Sequence, residues 1–183
     1  MNDSDLLDRL REGDARAFDS IFREHYPHLV SFAGHMLRDH AAGEEIAQDV
    51  MVELWRRRVS LEVRSSLRAY LVRAARNRCL NDIRHRRIRR TAEPLLVLDA
   101  TPVAAADAGV ATGELESAIK DAVAELPERC REVFELSRVR GLRYAEIAEA
   151  MEISVKTVEA QMGKALRLLR ERLAPWLADT DEG

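Results

Sequence analysis

The stretch GLRYAEIAEAMEISVKTVEAQ, residues 141–161, reads as two helices meeting across a tight turn. Ile147, Ala148 and Met151 recur at the spacing of one helix face, so Tyr144–Met151 is expected to be a short helix with that face inward. Residues 152–153 make the turn. Ser154 has the hydroxyl that caps a following helix, which carries Val155, Val158, Met162 and Leu166 as its inward stripe and reaches about Leu173. Small Ala148 lets the two helices approach closely. This is the pattern of a helix-turn-helix, whose second helix enters a major groove by its N-terminal end. Positions 156, 160, 163 and 167 share one face of that helix and hold Lys156, Ala160, Gly163 and Arg167, with Lys164 alongside. Lys and Arg contact phosphates and guanine edges, while Ala and Gly admit a close approach to the groove floor. Glu159 suits a cytosine amino group and Gln161 an adenine edge, but both weaken phosphate anchoring, so this unit alone is expected to bind DNA poorly. The same pattern also fits a helical hairpin with no role on DNA.

Outward from this segment the chain stays helical. Of its 183 residues 46% are hydrophobic and only 5% aromatic, a composition leaning to helix, and no internal repeat or strand-like alternation occurs. Glu114 to Glu125 reads as one helix, and residues 126–127 start another that runs through Val133, Phe134 and Leu136 and stops at Gly141. Residues 92–113 hold Pro94, Pro102, Gly109 and Gly113 without a helical stripe and read as a flexible linker. They divide the chain into an N-terminal unit over 1–91 and a C-terminal unit over 114–175, followed by an acidic tail over 176–183. The expectation is thus an all-α protein of two small helical domains.

The N-terminal unit reads as a four-helix domain. Ser4 caps a short first helix ending near Gly13. Asp14 caps the next, with Ala17, Phe18, Ile21 and Phe22 on one face, and Pro27 fits the first turn of a stretch carrying Leu29, Val30, Phe32, Ala33, Met36 and Leu37. From about 42 to 58, Ile46, Val50 and Leu54, beside Ala47, Met51 and Trp55, form one core-facing stripe. After a loop over 60–64, Ser65 or Ser66 starts a long helix through Leu67, Leu71, Ala74, Ala75, Leu80 and Ile83 into the Arg-rich run 84–90.

The formal net charge of −3 conceals a strong segregation. Residues 1–55 carry twelve acids and five bases, whereas 56–90 carry thirteen Arg against Glu62 and Asp82. Residues 91–126 return to seven acids against Lys120, and 127–183 are nearly balanced. A basic block inside an acidic chain points to a polyanion-binding surface, though a solvated Arg-rich helix gives the same count. Within the basic helix, Arg68, Arg73, Arg76, Arg84, Arg86 and Arg87 alternate with Tyr70, Asn77, Asn81 and His85. Guanidinium groups for the backbone, an aromatic face for stacking and amides for base edges suit an unpaired strand better than a smooth duplex. The preceding helix has Glu45, Asp49 and Glu53 at four-residue spacing beside Glu44 and Gln48, either a solvated acidic face or a surface for a basic protein partner.

Several classes are set aside. No apolar run is long enough to span a bilayer, residues 1–10 are too acidic for a signal peptide, and a cytoplasmic protein without membrane insertion is expected. Cys79 and Cys130 are far apart, with no CxxC or nearby His pair, and read as small helix residues rather than a disulfide, zinc site or nucleophile. The absence of a carboxylate–His cluster, metal-ligand spacing and a Gly-rich phosphate loop argues against an enzyme, a metal site or any cofactor.

Three ordered stretches resemble one family. AFDSIFREHYP (17–27) with Phe32 and Ala33 is similar to the N-terminal core of sigma-70 factors of the extracytoplasmic-function (ECF) group; GEEIAQDVMVELW (43–55) is similar to their polymerase-binding helix; LPERCREVF (126–134) followed by GLRYAEIA (141–148) is similar to their second DNA-binding domain. The resemblance implies a four-helix sigma domain 2 and a helix-turn-helix sigma domain 4, serving core RNA polymerase and promoter DNA, both duplex and single-stranded. Glu44, Glu45, Gln48, Asp49 and Glu53 would meet the coiled coil of the beta-prime subunit, and the beta flap would be a further contact. Arg64, Arg68, Tyr70, Arg73, Arg76, Asn77, Asn81, Arg84 and Arg87 would hold the melted −10 strand, with Asn77 at the pocket of a flipped base. Arg143, Ser154, Lys156, Thr157, Glu159, Ala160, Gly163, Lys164 and Arg167 would read the −35 element. An anti-sigma factor is a partner common in the family. Tyr70 stands where the family usually has Trp and Val72 where Tyr is common, leaving fewer aromatic wedges for melting. A stand-alone helix-turn-helix regulator, with an N-terminal sensing or dimerisation domain, explains residues 126–173 equally well but not the acidic ridge joined to a basic helix.

Overall fold

The computed structural model describes residues 3–92 and 113–178, and every regular element among them is helical. The linker expected over 92–113, save its end residues, and the tail beyond residue 178 lie outside the described residues. The N-terminal unit holds α1 (Asp3–Arg11), α2 (Ala15–Leu37), α3 (His40–Arg57), a 3-10 turn (Arg58–Ser60) and α4 (Leu67–Ala92). The C-terminal unit holds α5 (Gly113–Ala124), α6 (Glu128–Arg138), α7 (Tyr144–Met151), α8 (Val155–Arg172) and α9 (Ala174–Ala178).

Local chemistry sets most helix starts. Asp14 caps α2 by accepting from Arg16 N (2.8 Å), and the Arg9 guanidinium donates twice to its Oδ2 (2.9 and 2.8 Å). Those guanidinium bonds hold the Asp14 carboxyl below its ordinary pKa. Asp39 caps α3 through Ala42 N at 3.1 Å, two residues earlier than the expected start. Ser66, not Ser65, accepts from Ala69 N at 3.1 Å and opens α4. Each cap satisfies an N–H that the first helical turn leaves without an internal partner.

Pro27 does not begin a helix. It lies inside α2, which runs unbroken from Ala15 to Leu37, so the stretches expected on either side of it are one. The proline costs one backbone hydrogen bond to the carbonyl four residues earlier. Its own position is exposed, where water can serve that carbonyl, while the buried stripe Ala17, Ile21, His25, Leu29 and Phe32 continues past it. Packing along the whole stripe outweighs the local defect.

α3 packs chiefly on α2 and α4 closes over both. The crossing is tight: a methyl carbon built on Gly43 would sit 2.5 Å from Gly34 N and 2.6 Å from Gly34 Cα. Below it Ala47, Val50, Met51 and Leu54 are buried, as are Leu67, Leu71, Val72, Ala75 and Cys79 of α4. Ile83, expected inward, is exposed. Phe18 and Phe22 are also only half-buried, unlike Ala17 and Ile21 beside them.

In the C-terminal unit Ala122, Leu126, Cys130, Ala165 and Leu169 form a core that joins α5, α6 and α8, with Val123, Phe134, Leu168 and Leu173 packed against it. Gly141 (φ +66°) and Glu152 (φ +55°) take left-handed conformations at the two turns flanking α7, and Ile153 N bonds to Ala148 O at 3.0 Å. The inward stripe of α8 is Val158, Met162, Ala165 and Leu169; Val155 and Leu166 are 42% and 39% exposed, so the expected face was rotated. Both sets are helically spaced, and contact with α5 and α6 selects the one containing small Ala165. Helix α9 lies partly where an acidic tail was expected. Both cysteines are buried and free; burial pushes the Cys79 thiol up to about 11, which makes it inert at neutral pH.

Candidate nucleic-acid interface

On α3 the buried stripe leaves Glu44, Glu45, Gln48 and Asp49 exposed, with Glu53 half-buried, as one acidic ridge. His40 Nε2 lies 3.6 Å from Glu44 and Arg57 pairs with Glu53. Glu45 and Asp49 have no ion pair among the described residues, so their charge faces outward uncompensated. Gln48 Nε2 donates to the Tyr26 hydroxyl at 3.5 Å. That bond connects the ridge to an aromatic ladder which the sequence reading missed. Phe22 stacks on Tyr26 at 4.5 Å, Phe18 meets Trp55 edge-on at 5.3 Å, and the Arg58 guanidinium lies 4.5 Å over the Trp55 ring. The four-residue spacing of Phe18, Phe22 and Tyr26 was its available signal.

On α4, Tyr70, Arg73, Asn77, Asn81, Arg84 and Arg87 follow one another at three- and four-residue intervals and so share a face, flanked by Arg76. Tyr70, Arg73, Arg76 and Asn77 are half-buried near the helix start; Asn81, Arg84 and Arg87 are exposed farther along. Arg64 is exposed in the loop before the helix, which is fixed at its start by buried Leu61, whose carbonyl accepts from Arg11 Nη2 at 3.2 Å. Arg68 is not brought onto that face: it lies on the opposite side of α4, where its charge acts on buried His25 of α2. Arg86 is held by Asp82 (2.6 Å) and, more distantly, Asp39 (3.9 Å). Val72 is buried, so it serves the core rather than standing in for a surface aromatic.

On α8, Lys156, Glu159, Ala160, Gly163, Lys164 and Arg167 are all exposed, and nothing lies within 4 Å of a Cβ placed on Gly163. Arg167 Nη1 donates to Glu171 at 3.1 Å. Ser154 and Thr157 are engaged in the cap: Thr157 N donates to Ser154 Oγ at 3.1 Å and the two hydroxyls lie 2.8 Å apart. Gln161 does not join the reading face. Its Oε1 accepts from the Cys130 thiol at 3.0 Å, which turns the amide toward α6. Arg143 is exposed, while its backbone N–H donates to Glu146 Oε2 at 2.8 Å, so the buried Glu146 carboxylate is a cap for α7. Among the described residues no group of three or more His, Cys, Asp or Glu could hold a metal ion.

Comparison with known families matches each unit to a region of one family. The model for sigma-70 region 2 matches residues 21–89, and the model for sigma-70 region 4 matches residues 116–169. The chain belongs to the sigma-70 family. Its relatives include RNA polymerase sigma-H factor of Pseudomonas aeruginosa, 23% identical over 97% of this chain and 96% of the relative, and the ECF sigma-E factor of Haemophilus influenzae, 25% identical over 96% and 97%. ECF sigma factor SigK of Mycobacterium tuberculosis is 26% identical over 92% and 91%. Among solved structures, sigma factor RpoE of Bartonella quintana, in complex with anti-sigma factor NepR, matches with a TM-score of 0.68 at 22% identity, over 87% of this chain and 98% of that one. CnrH in complex with the cytosolic domain of CnrY matches with a TM-score of 0.66, also at 22% identity, over 94% and 97%. The chain is an ECF sigma factor directing promoter recognition by RNA polymerase. The region 2 match over α2–α4 is what a stand-alone helix-turn-helix regulator lacks.

Proposed function

We propose that the two units divide the work of initiation by surface charge. The acidic ridge Glu44, Glu45, Gln48, Asp49 and Glu53 docks on the beta-prime coiled coil of core polymerase, and the C-terminal unit contacts the beta flap. The α4 face of Tyr70, Arg73, Arg76, Asn77, Asn81, Arg84 and Arg87, with Arg64 in the loop before it, holds the melted non-template strand of the −10 element. Asn77 sits at the pocket of the flipped base. The α8 face of Lys156, Ala160, Gly163, Lys164 and Arg167 reads the −35 duplex, with Arg143, Ser154 and Thr157 at its near edge. Residues 1–91 and 114–175 act as the two domains, and 92–113 tethers them. The factor works in the cytoplasm without catalysis or cofactor of its own; among the described residues no helix is long and apolar enough to cross a membrane. Because RpoE and CnrH are found with NepR and CnrY, an anti-sigma protein is a fitting partner here too.

The observation carrying this reading is the juxtaposition, in one small unit, of an α3 ridge whose Glu45 and Asp49 have no ion pair among the described residues and an Arg–Asn–Tyr face on α4. A carboxylate ridge cannot favour DNA, so the partner that fits it is a basic protein surface. Run-off transcription with core polymerase tests it. Glu45→Lys together with Asp49→Lys should remove promoter-dependent transcripts and co-elution with core enzyme while the helical circular dichroism and melting temperature stay as in the wild type. Full transcription by this variant would overturn the docking assignment.

A further inference from the structure

Glu159 is the odd member of the α8 face. It lies in the second turn after the Ser154 cap, three residues from Lys156 and four from Gly163, beside Ala160. Its side chain is exposed and has no cation among the described residues. A carboxylate brought against a polyanion in this state opposes binding unless it finds a hydrogen-bond donor. The small neighbours make such a meeting possible, because Ala160 and the open position at Gly163 let the backbone of α8 come close to the groove floor.

In the major groove the base donors are the cytosine N4 and adenine N6 amino groups. Adenine N6 stands beside the N7 acceptor, so its partner must donate as well as accept; an amide does this, and a carboxylate would set an oxygen against N7. The nearby amide, Gln161, is committed to Cys130. Cytosine asks only for an acceptor at N4. We propose that Glu159 is a specificity-determining residue that accepts a hydrogen bond from a cytosine amino group in the upstream promoter element. The proposal rests on α8 being the duplex-reading helix.

The test is selection, from a duplex library randomised across both promoter elements, of sequences bound by the full-length chain assembled with core polymerase, comparing wild type with Glu159→Ala, Glu159→Arg and Lys156→Ala. The wild type should enrich cytosine at one upstream position, preferring it about tenfold over other bases. Glu159→Ala should lose the preference there alone, and Glu159→Arg should exchange it for guanine. Lys156→Ala should weaken binding to all sequences alike. Preferences unchanged in Glu159→Ala, or uniformly tighter binding by that variant, would overturn the proposal, since the carboxylate would then only repel phosphates. Adenine enrichment lost in Glu159→Ala would overturn the cytosine assignment. A wild type that enriches no upstream sequence at all would sink the duplex-reading role of α8 itself, and this proposal with it.

Discussion

Gly163 stands in the interior of an eighteen-residue helix, exposed, with no atom within 4 Å of where its Cβ would be. Among the described residues nothing needs a glycine there, and glycine at such a site costs the helix up to about 1 kcal/mol against alanine. The vacancy is therefore useful only to something that approaches from outside. Gly163→Ala should raise thermal stability while weakening upstream-element binding by the polymerase-bound factor. A variant that is both more stable and equally tight would remove the case for close approach. A second residue-scale effect belongs to His25, buried on the inward stripe of α2 and held below its ordinary pKa chiefly by burial. Between that lowered value and about 6.5 the unfolded chain binds the proton and the folded chain does not. Its contribution is thus fully present above about pH 6.5 and lost as pH falls through the folded pKa. Asp14, also lowered, loses its contribution in a more acidic window. Urea melts at pH 7.5 and 5.5 should show lower stability at the acid value, and the difference should shrink in His25→Gln.

At the scale of elements, the α2–α3 crossing is set by Gly34 and Gly43, which meet backbone to backbone. Gly43→Ala must push the helices apart, disturbing Ala47, Val50 and Leu54 below, and should destabilise the protein by about 1–3 kcal/mol in denaturant titrations. Were its midpoint unchanged, α3 would have to be free to slide. Several boundaries that rest on local chemistry were legible in the sequence, namely the Asp14 and Ser154 caps, the α7 span and the turn after it, whereas the Asp39 cap was missed and Ser4, expected as a cap, lies inside α1. Elements decided by packing were not legible. Pro27 carries a local stop signal, overruled by a stripe that runs through it. The face of α8 was ambiguous between two equally periodic sets, and only the small Ala165 against α6 separates them. The same holds for the candidate sites. The exposed ridge on α3 and the polar face of α4 follow from helical spacing alone. The inward turn of Gln161 depends on Cys130, a residue far away in sequence, whereas the place of Arg68 on the other side of α4 follows from spacing and was open to the sequence reading.

For the molecule as a whole, charge decides what each half can do unaided. Residues 127–183 carry eleven acids against ten bases, and on α8 Glu171 already holds Arg167. A reader so nearly neutral releases few counterions on binding duplex DNA, so its intrinsic affinity is low and fades further with salt. The basic face of α4 is better supplied, but the bases it is proposed to hold are unavailable until the duplex opens. Neither contact suffices alone. On the proposed reading, core polymerase would hold the N-terminal unit at the promoter and the C-terminal unit would meet its element as a tethered ligand, and tethering by a short linker raises effective concentration into the millimolar range. The full-length chain by itself should therefore leave no footprint on promoter duplex at physiological salt, whereas with core enzyme it should protect both elements. Shortening residues 92–113 until they cannot span the two elements should abolish upstream protection while leaving co-elution with polymerase intact. Strong, sequence-specific protection by the free chain would mean that the α8 face carries affinity which its charge balance does not supply.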